Sequence, residues 1–434
     1  MIVNGARLPL GRAHLLASMV MREVRRAGLP ADDVVPLGSL RRWAPDIGDV
    51  SLLAIAEPAA HNEVLDGFLK LPTVTAVLAR LPSSVEAATE RGRVRLHVTA
   101  SEDAGAALVW HTGTRRHTEL LQKRANRLGL VFRDGLLSRP NGALVSTPDE
   151  EDVYRRLNLP FISPELREGV DEIDRAERGE LPVLVLPSDI RGDLHMHSTW
   201  SDGRDSIQHM VLAAKQLGYE YVAITDHSER AFASRKLLAL EIPIQRDEIN
   251  MLRSRIHGID ILHGVEVDIM PDGSLDFDDT QLANFDIVLA SLHDDHGDDG
   301  TRLTERYVQA MRNPMVNIIT HPANRSPALS PGYDLNYDRL FEVAVATGTA
   351  LEVDGAPGHL DLDGSIARRA VDAGVTLTID SDCHRAEALE RQMRFGVGTA
   401  RRGWVQASHV LNTRTVDTVR SFVARKRNSA RDRR

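Results

Sequence analysis

Apolar and polar residues alternate along this chain in two different textures. Residues 12–28 place apolar side chains at helical spacing and stop at Gly28-Leu29-Pro30, which predicts a helix ended by turn residues. VVPLGSLRR then predicts a short strand, a Gly-Ser turn and a basic start to a helix. DVSLLAIA (49–56) predicts a buried strand, and VRLHVT (94–99) alternates as a second one. From Glu102 to Gly129 the spacing is helical, with a break at Thr112-Gly113. Residues 145–180 suggest short helices among several prolines, and ELPVLVLPSDIRG (180–192) reads as a linker.

From Asp193 the texture changes. Strand-like runs YVAIT (221–225), IDILHGVEVD (259–268), FDIVLASLH (285–293), VNIITH (316–321), ALEVDG (350–355) and VTLTIDSDCH (375–384) alternate with helical stretches such as SIQHMVLAAKQLG and DGSIARRAVDAG. Such alternation over more than 200 residues predicts an α/β architecture, a parallel barrel or doubly wound sheet. A length of 434 residues suits two or three domains.

Composition narrows the function classes. Apolar residues make up 42% and charged residues 26%, as in globular proteins. Aromatics are 4%, too few to advertise a stacking platform for single strands. The net charge of −9 opposes a non-specific grip on nucleic acid by the whole surface, although ARKRNSARDRR at the C-terminus carries six basic residues against one acid. That end reads as a solvated tail, with an electrostatic arm for nucleic acid as the sharper alternative. One cysteine, Cys383, allows no intrachain disulfide and suits a reducing compartment. No apolar run of eighteen residues and no secretory leader are read, so a cytoplasmic location without a membrane partner is expected.

The chemistry concentrates at the strand ends. DLHMHSTWSDG places His195, His197 and Asp202 together. The following strands end in or carry His227, Glu266, His293, His321, Asp382 and His384. Active sites of α/β barrels gather at the C-terminal ends of strands, and residues two apart on a strand face one side. Burying so many polar groups without partners costs several kcal/mol, which a metal cluster removes. Nine ligands imply two or three divalent ions, with Glu266 the natural bridge. Mixed imidazole and carboxylate ligands suit manganese, zinc or iron. Ions about 3.5–4 Å apart are apt for phosphoester hydrolysis. No GxSxG elbow and no Walker loop are present. Cys383, between two ligand types, reads as a packed apolar residue.

DLHMHS, SDG, TDH, GVEVD, SLH, THP and SDCH stand in the order found in the PHP (polymerase and histidinol phosphatase) family of metal-dependent phosphoesterases, which this region resembles. The resemblance implies a distorted seven-stranded (β/α) barrel with a trinuclear site. By resemblance, His195, His197, Glu266 and Asp382 hold one ion. Asp202, His227 and His384 hold a second, and Glu266, His293 and His321 hold the third. Glu266, His195 and Asp382 would be catalytic, acting through metal-activated water.

PDGSLDF, SPGYDL, RFGVGTARRGW and VLNTR further resemble the PHP region of bacterial family X DNA polymerases. GSLRRWAPDIGDVSLL resembles that family's α+β nucleotidyltransferase palm, and ALVWHTGTRRHTELLQKRANRLGL its thumb. The implied domains are a degenerate palm (1–100), a thumb (101–170), a linker (171–192), a PHP phosphoesterase domain (193–424) and a basic tail (425–434). The palm departs from the pattern. Of three expected carboxylates only Asp49 is present, with Ser51 and Arg95 at the other two positions. One carboxylate does not hold two magnesium ions, so polymerase activity is expected to be absent. No helix-hairpin-helix DNA grip is read ahead of the palm. Ser39, Arg41 and Arg42 remain, with Asp49, as a remnant of a nucleotide-binding turn; a scaffolding role for this half is the alternative.

In the PHP half, DDHGDDG after His293, and Asp354 and His359 where the family tends to have an amide and an arginine, lower the positive charge around the mouth. Arg325, in HPANR, is the candidate for gripping substrate phosphate, against an ordinary surface arginine. Three functions are carried forward. The first is a metal-dependent phosphoesterase on DNA, acting as a 3'-5' exonuclease, in 3'-end processing or in abasic-site nicking. The second is a phosphatase of small phosphomonoesters such as histidinol phosphate or a nucleotide. The third is a non-catalytic scaffold binding nucleotides or DNA ends.

Overall fold

The computed structural model describes residues 7–231 and 233–431. The chain divides into two compact units, Met1–Pro182 and Val183–Arg434.

In the first unit, helix α1 (Leu10–Arg26) buries Leu10, Ala13, Leu16, Ala17, Val20 and Val24, the three-to-four-residue stripe expected of an amphipathic helix. Five strands follow: β1 (Asp33–Pro36), β2 (Val50–Ile55), β3 (Val74–Leu81), β4 (Ser84–Thr89) and β5 (Gly92–Thr99). They form one sheet in the order β1-β2-β5-β4-β3. The β3–β4 hairpin is not signalled in the sequence, because β3 is an edge strand with mostly exposed residues and lacks the apolar alternation that marks a buried face. Helices α2 (Ala104–Thr112) and α3 (Arg115–Arg127) flank the break at Gly113, where the Thr114 side chain caps α3 by accepting from the His117 N–H.

The second unit holds seven parallel strands in sequential order: β6 (Gly192–Asp193), β7 (Tyr221–Ile224), β8 (Asp260–Asp268), β9 (Ile287–Ser291), β10 (Ile318–Ile319), β11 (Ala350–Asp354) and β12 (Leu377–Asp380). A parallel bridge between Met196 and Cys383 brings the segments after the first and last strands together, closing the seam. Helices α4 (Ile207–Gln216), α5 (Ile242–Arg255), α6 (Gly300–Arg312), α7 (Tyr337–Thr347) and α8 (Gly364–Asp372) lie in the connections between them, and α9 (Leu389–Arg402) follows the last strand. This is the seven-stranded barrel that the PHP resemblance implied, and one of the two architectures the alternation left open.

The last helix, α10 (Val416–Arg431), packs Val419, Phe422 and Val423 with Tyr221, Ile287, Ile318 and Ala350, each the first residue of its strand. One end of the barrel is thereby plugged with apolar side chains. The basic segment read as a separate tail continues α10 as far as Arg431, and residues 432–434 lie outside the described ones. No helix among the described residues is long and apolar enough to cross a membrane.

Candidate functional site

The strands start in the plugged end and finish at the opposite one, where the ligand-type residues collect. His195 and His197 follow β6, and their Nε2 atoms lie 3.1 Å apart. His195 Nε2 is 3.4 Å from Glu266 Oε2 and 3.6 Å from Asp382 Oδ1, and His197 Nε2 is 3.5 Å and 3.2 Å from the same two atoms. Asp202 Oδ1 is 3.5 Å from His227 Nε2 and 3.2 Å from His384 Nε2. Glu266 Oε1 lies 3.4 Å from His293 Nε2 and 3.0 Å from His321 Nε2, while its Oε2 lies 3.0 Å from His227 Nδ1. All nine residues named from the sequence therefore meet.

Their grouping is more shared than the resemblance implies. Ligand atoms within 4.8 Å of one another form the sets His197–Asp202–His227–His384, His195–His197–Asp382, His195–Glu266–His321 and His227–Glu266–His293. His197 thus joins the Asp202 group, and His293 and His321 reach Glu266 beside different neighbours. Cys383 is buried and donates to the Arg385 carbonyl, turned to the core and not to this cluster.

The residues present fit metal ions. Asp202 Oδ1, His227 Nδ1 and Glu266 Oε2 are all buried without a hydrogen-bond partner. Their close approaches are N···O contacts lacking hydrogen-bond geometry, which shared cations would satisfy. His195, His197 and Glu266 are almost wholly buried, at 0%, 0% and 1% exposure. His321 and Asp382 hold positive φ angles of 24° and 47°, uncommon for non-glycine residues.

Electrostatics follow the same convergence. Burial opposes charge on Glu266, yet His227, His293 and His195 hold its carboxyl well below the usual range. Burial likewise works against Asp202, but His384, His227 and His197 bring it down to about 2. Burial pushes His197 down to about 3, helped by His227 and His384. His293 rises to about 9 despite burial, because Glu266 and Asp268 face it.

Three supporting residues were not assigned a role from the sequence. Glu352 of β11 is fully buried; Oε1 accepts from His195 Nδ1 at 2.7 Å and Oε2 from the His321 backbone N–H at 2.9 Å. Burial pushes this carboxyl up to about 8 against the attraction of His195. Asp268 lies 2.5 Å from His293 Nδ1. Such partners fix ring orientation and tautomer. Asp226 accepts from Ser198 N–H and Oγ at 2.7 Å each, from Ser201 N–H at 3.2 Å and Oγ at 2.5 Å, and from Gln245 Nε2 at 2.7 Å. It thereby shapes the loop that carries Asp202. The signal for Glu352 and Asp268 was a carboxylate inside an otherwise apolar strand, two residues from another site position.

The remaining named residues are elsewhere engaged. Arg325 Nη1 donates to Asp363 at 3.0 Å, while its Nε is buried without a partner. The aspartates after His293 are folded around Arg306, which donates to the Asp294 and Asp295 carbonyls and pairs with Asp298 at 3.2 Å. In the first unit, Asp49 accepts from Ser51 Oγ at 3.0 Å. Ser51 is the register partner of Arg95, which pairs with Glu86 at 2.8 Å. Arg41 makes a two-pronged bond to Glu150 at 2.8 and 2.6 Å, and Arg42 binds Glu168 at 3.1 Å and the Thr112 carbonyl at 2.5 Å. Ser39 lies in the four-residue helix Gly38–Arg41, which carries Arg41 and is followed by Arg42 as its C-cap.

Comparison with known proteins gives matches over both units. Residues 193–324 match the PHP domain and residues 107–168 the DNA polymerase beta thumb. The DNA polymerase/3'-5' exonuclease PolX of Bacillus subtilis (strain 168) is 36% identical over 393 residues, covering 89% of this chain and 68% of that protein. A probable phosphatase of Thermoanaerobacter sp. (strain X514) is 31% identical over 204 residues, covering 44% of this chain and 78% of its own. A solved Leishmania infantum polymerase beta in a ternary complex is 19% identical, with a TM-score of 0.34, covering 37% of this chain and 77% of that one.

Proposed function

This chain belongs to the family of the Bacillus subtilis PolX protein, and from that premise we propose that its PHP unit hydrolyses phosphoester bonds at DNA 3' ends, as a metal-dependent 3'-5' exonuclease or end-processing enzyme, while its palm does not polymerise. The observation that carries the reading is the convergence of nine imidazole and carboxylate side chains at one end of the barrel.

In this reading His195, His197, Glu266 and Asp382 hold one divalent ion, Asp202, His227 and His384 a second, and Glu266, His293 and His321 a third. Ions bound there, manganese, zinc or iron, would lower the pKa of water and balance charge on the attacking and leaving oxygens. Glu266 serves both sides because its two oxygens face different histidines. Glu352 and Asp268 keep His195 and His293 donating through Nδ1 and so hold each Nε2 toward the centre. Arg325 is assigned to substrate phosphate: its buried, unpartnered Nε is a donor in search of an acceptor.

The loss of polymerase function rests on the palm's charge. Arg95 stands beside Ser51 with its guanidinium committed to Glu86, so Asp49 has no second and third carboxylate at those positions. Arg41 and Arg42, tied to Glu150 and Glu168, favour a scaffolding role over triphosphate binding.

A second reading, hydrolysis of small phosphomonoesters, is favoured by the acidic loop at Asp294–Asp299 and by similarity to probable phosphatases. The test is a substrate panel with manganese-loaded protein: 5'-labelled single-stranded DNA, a primer–template and p-nitrophenyl phosphate, each beside His195→Ala. Laddering of DNA supports the first reading, and nitrophenol release alone supports the second. No turnover of either substrate leaves a non-catalytic scaffold.

A further inference from the structure

The nine ligands leave one neighbouring cluster unexplained. Asp354, His359 and Asp382 each place a ligand atom within 4.8 Å of the others. Asp354 is the last residue of β11 and is 0% exposed. Its Oδ1 accepts from the Ala356 N–H at 2.6 Å, but Oδ2 is buried without a hydrogen-bond partner. His359 lies in the turn that follows, its N–H bonded to the Ala356 carbonyl at 3.0 Å. Its ring stacks on His321 with centroids 5.0 Å apart, and its Nδ1 is likewise buried and unpartnered. Asp382 Oδ1 lies 3.6 Å from His195 Nε2, 3.2 Å from His197 Nε2 and 3.6 Å from His384 Nδ1, so Asp382 stands between the two groups.

Two buried carboxylates side by side, with orphaned atoms on Asp354 and His359, are costly, and a cation between them would remove that cost. A hydrogen bond to one another would have used up the orphan atoms, and none forms. Stacking on His321 fixes the His359 ring, which limits the entropy lost on ligation.

We propose that Asp354, His359 and Asp382 form an additional divalent-cation position flanking the cluster described above. An imidazole with two carboxylates suits manganese, zinc or ferrous iron. The proposal rests on the metal-centre reading of the nine residues, with Asp382 shared between the two. It gives this chain one more ion than those nine side chains require, on the flank where His359 stacks.

The test counts ions. Chain reconstituted with MnCl2 and desalted is analysed for bound manganese per chain, for the wild type, Asp354→Asn/His359→Gln and Asp202→Asn. The expected result is about one equivalent fewer in the double variant, with a second loss in Asp202→Asn. Equal manganese in wild type and double variant overturns the additional position. If Asp202→Asn still loses an ion, the metal-centre reading stands alone. A wild type that retains no manganese overturns both. Should Asp354→Asn fail to fold, the single His359→Gln change, in a turn beside exposed Gly358, decides the matter by the same count.

Discussion

Replacing Glu352 by Gln changes one atom and tests how the metal-ligand geometry is maintained. The carboxylate accepts two bonds at once, from His195 Nδ1–H at 2.7 Å and from the His321 N–H at 2.9 Å. Both partners are donors. A carboxamide of the same shape accepts with its oxygen but presents N–H to the other donor, so one bond is lost and one donor is opposed. A hydrogen bond to a charged group contributes about 1.5–3 kcal/mol. At about 1.4 kcal/mol per decade, that loss weakens metal binding by roughly ten- to a hundred-fold. Substitutions of such supporting carboxylates in metal sites cost about the same. The assay is calorimetric titration of apoprotein with MnCl2 at pH 8.5, above the value of about 8 to which burial pushes Glu352. Turnover at saturating manganese should change by less than about threefold, because Glu352 touches ligands and not substrate. An unchanged dissociation constant in a folded variant would refute the orienting role.

Three further outcomes are expected. In Gly203→Ala the added Cβ would stand 2.6 Å from the His197 and Ser198 carbonyl oxygens, both backbone atoms; the variant should lose about 1–3 kcal/mol in urea unfolding and displace Asp202. Template-directed incorporation on a gapped primer should be undetectable with magnesium, and Arg95→Ala should leave phosphoester hydrolysis within twofold; measurable extension by the wild type would reverse the assignment of the palm. The His97 and His111 rings lie tilted with centroids 4.0 Å apart; burial, His111 and Arg95 push His97 down to about 3, and burial and Arg95 push His111 down to about 4. Their unfolded values near 6.5 mean that the unfolded chain binds more protons below that pH. Their contribution is therefore full above about pH 7 and lost as pH falls toward 4, by up to about 2.7 kcal/mol per pH unit for two protons. Urea melts from pH 7.5 to 5.5 should show a shallower loss for His97→Gln/His111→Gln.

Legibility in the sequence followed burial and period. The barrel strands were readable because both of their faces are covered, so they appear as apolar runs, and their ligands stood out as polar residues ending those runs. Strand lengths were less legible: VNIITH suggested six residues, and only Ile318–Ile319 pair as strand, because His321 bends the backbone to positive φ. The β3–β4 hairpin escaped because an edge strand need not alternate. Glu352 and Asp226 escaped for another reason. Their partners are a ring nitrogen and a loop distant in sequence; a carboxylate within an apolar strand draws the eye to Glu352, but which ring it orients is set only by the fold.

Asp226 and His227 are chain neighbours with opposite duties: the first clasps the Ser198–Ser201 bend while the second joins the acidic and imidazole groups. Slipping β7 by one residue against β6 or β8 would exchange these duties, leaving the bend without its clasp and the centre without an imidazole. Spacing from Tyr221 to His227 therefore tolerates no insertion or deletion. Changes in length within this unit belong in its outer turns, while this heptapeptide stays fixed in count.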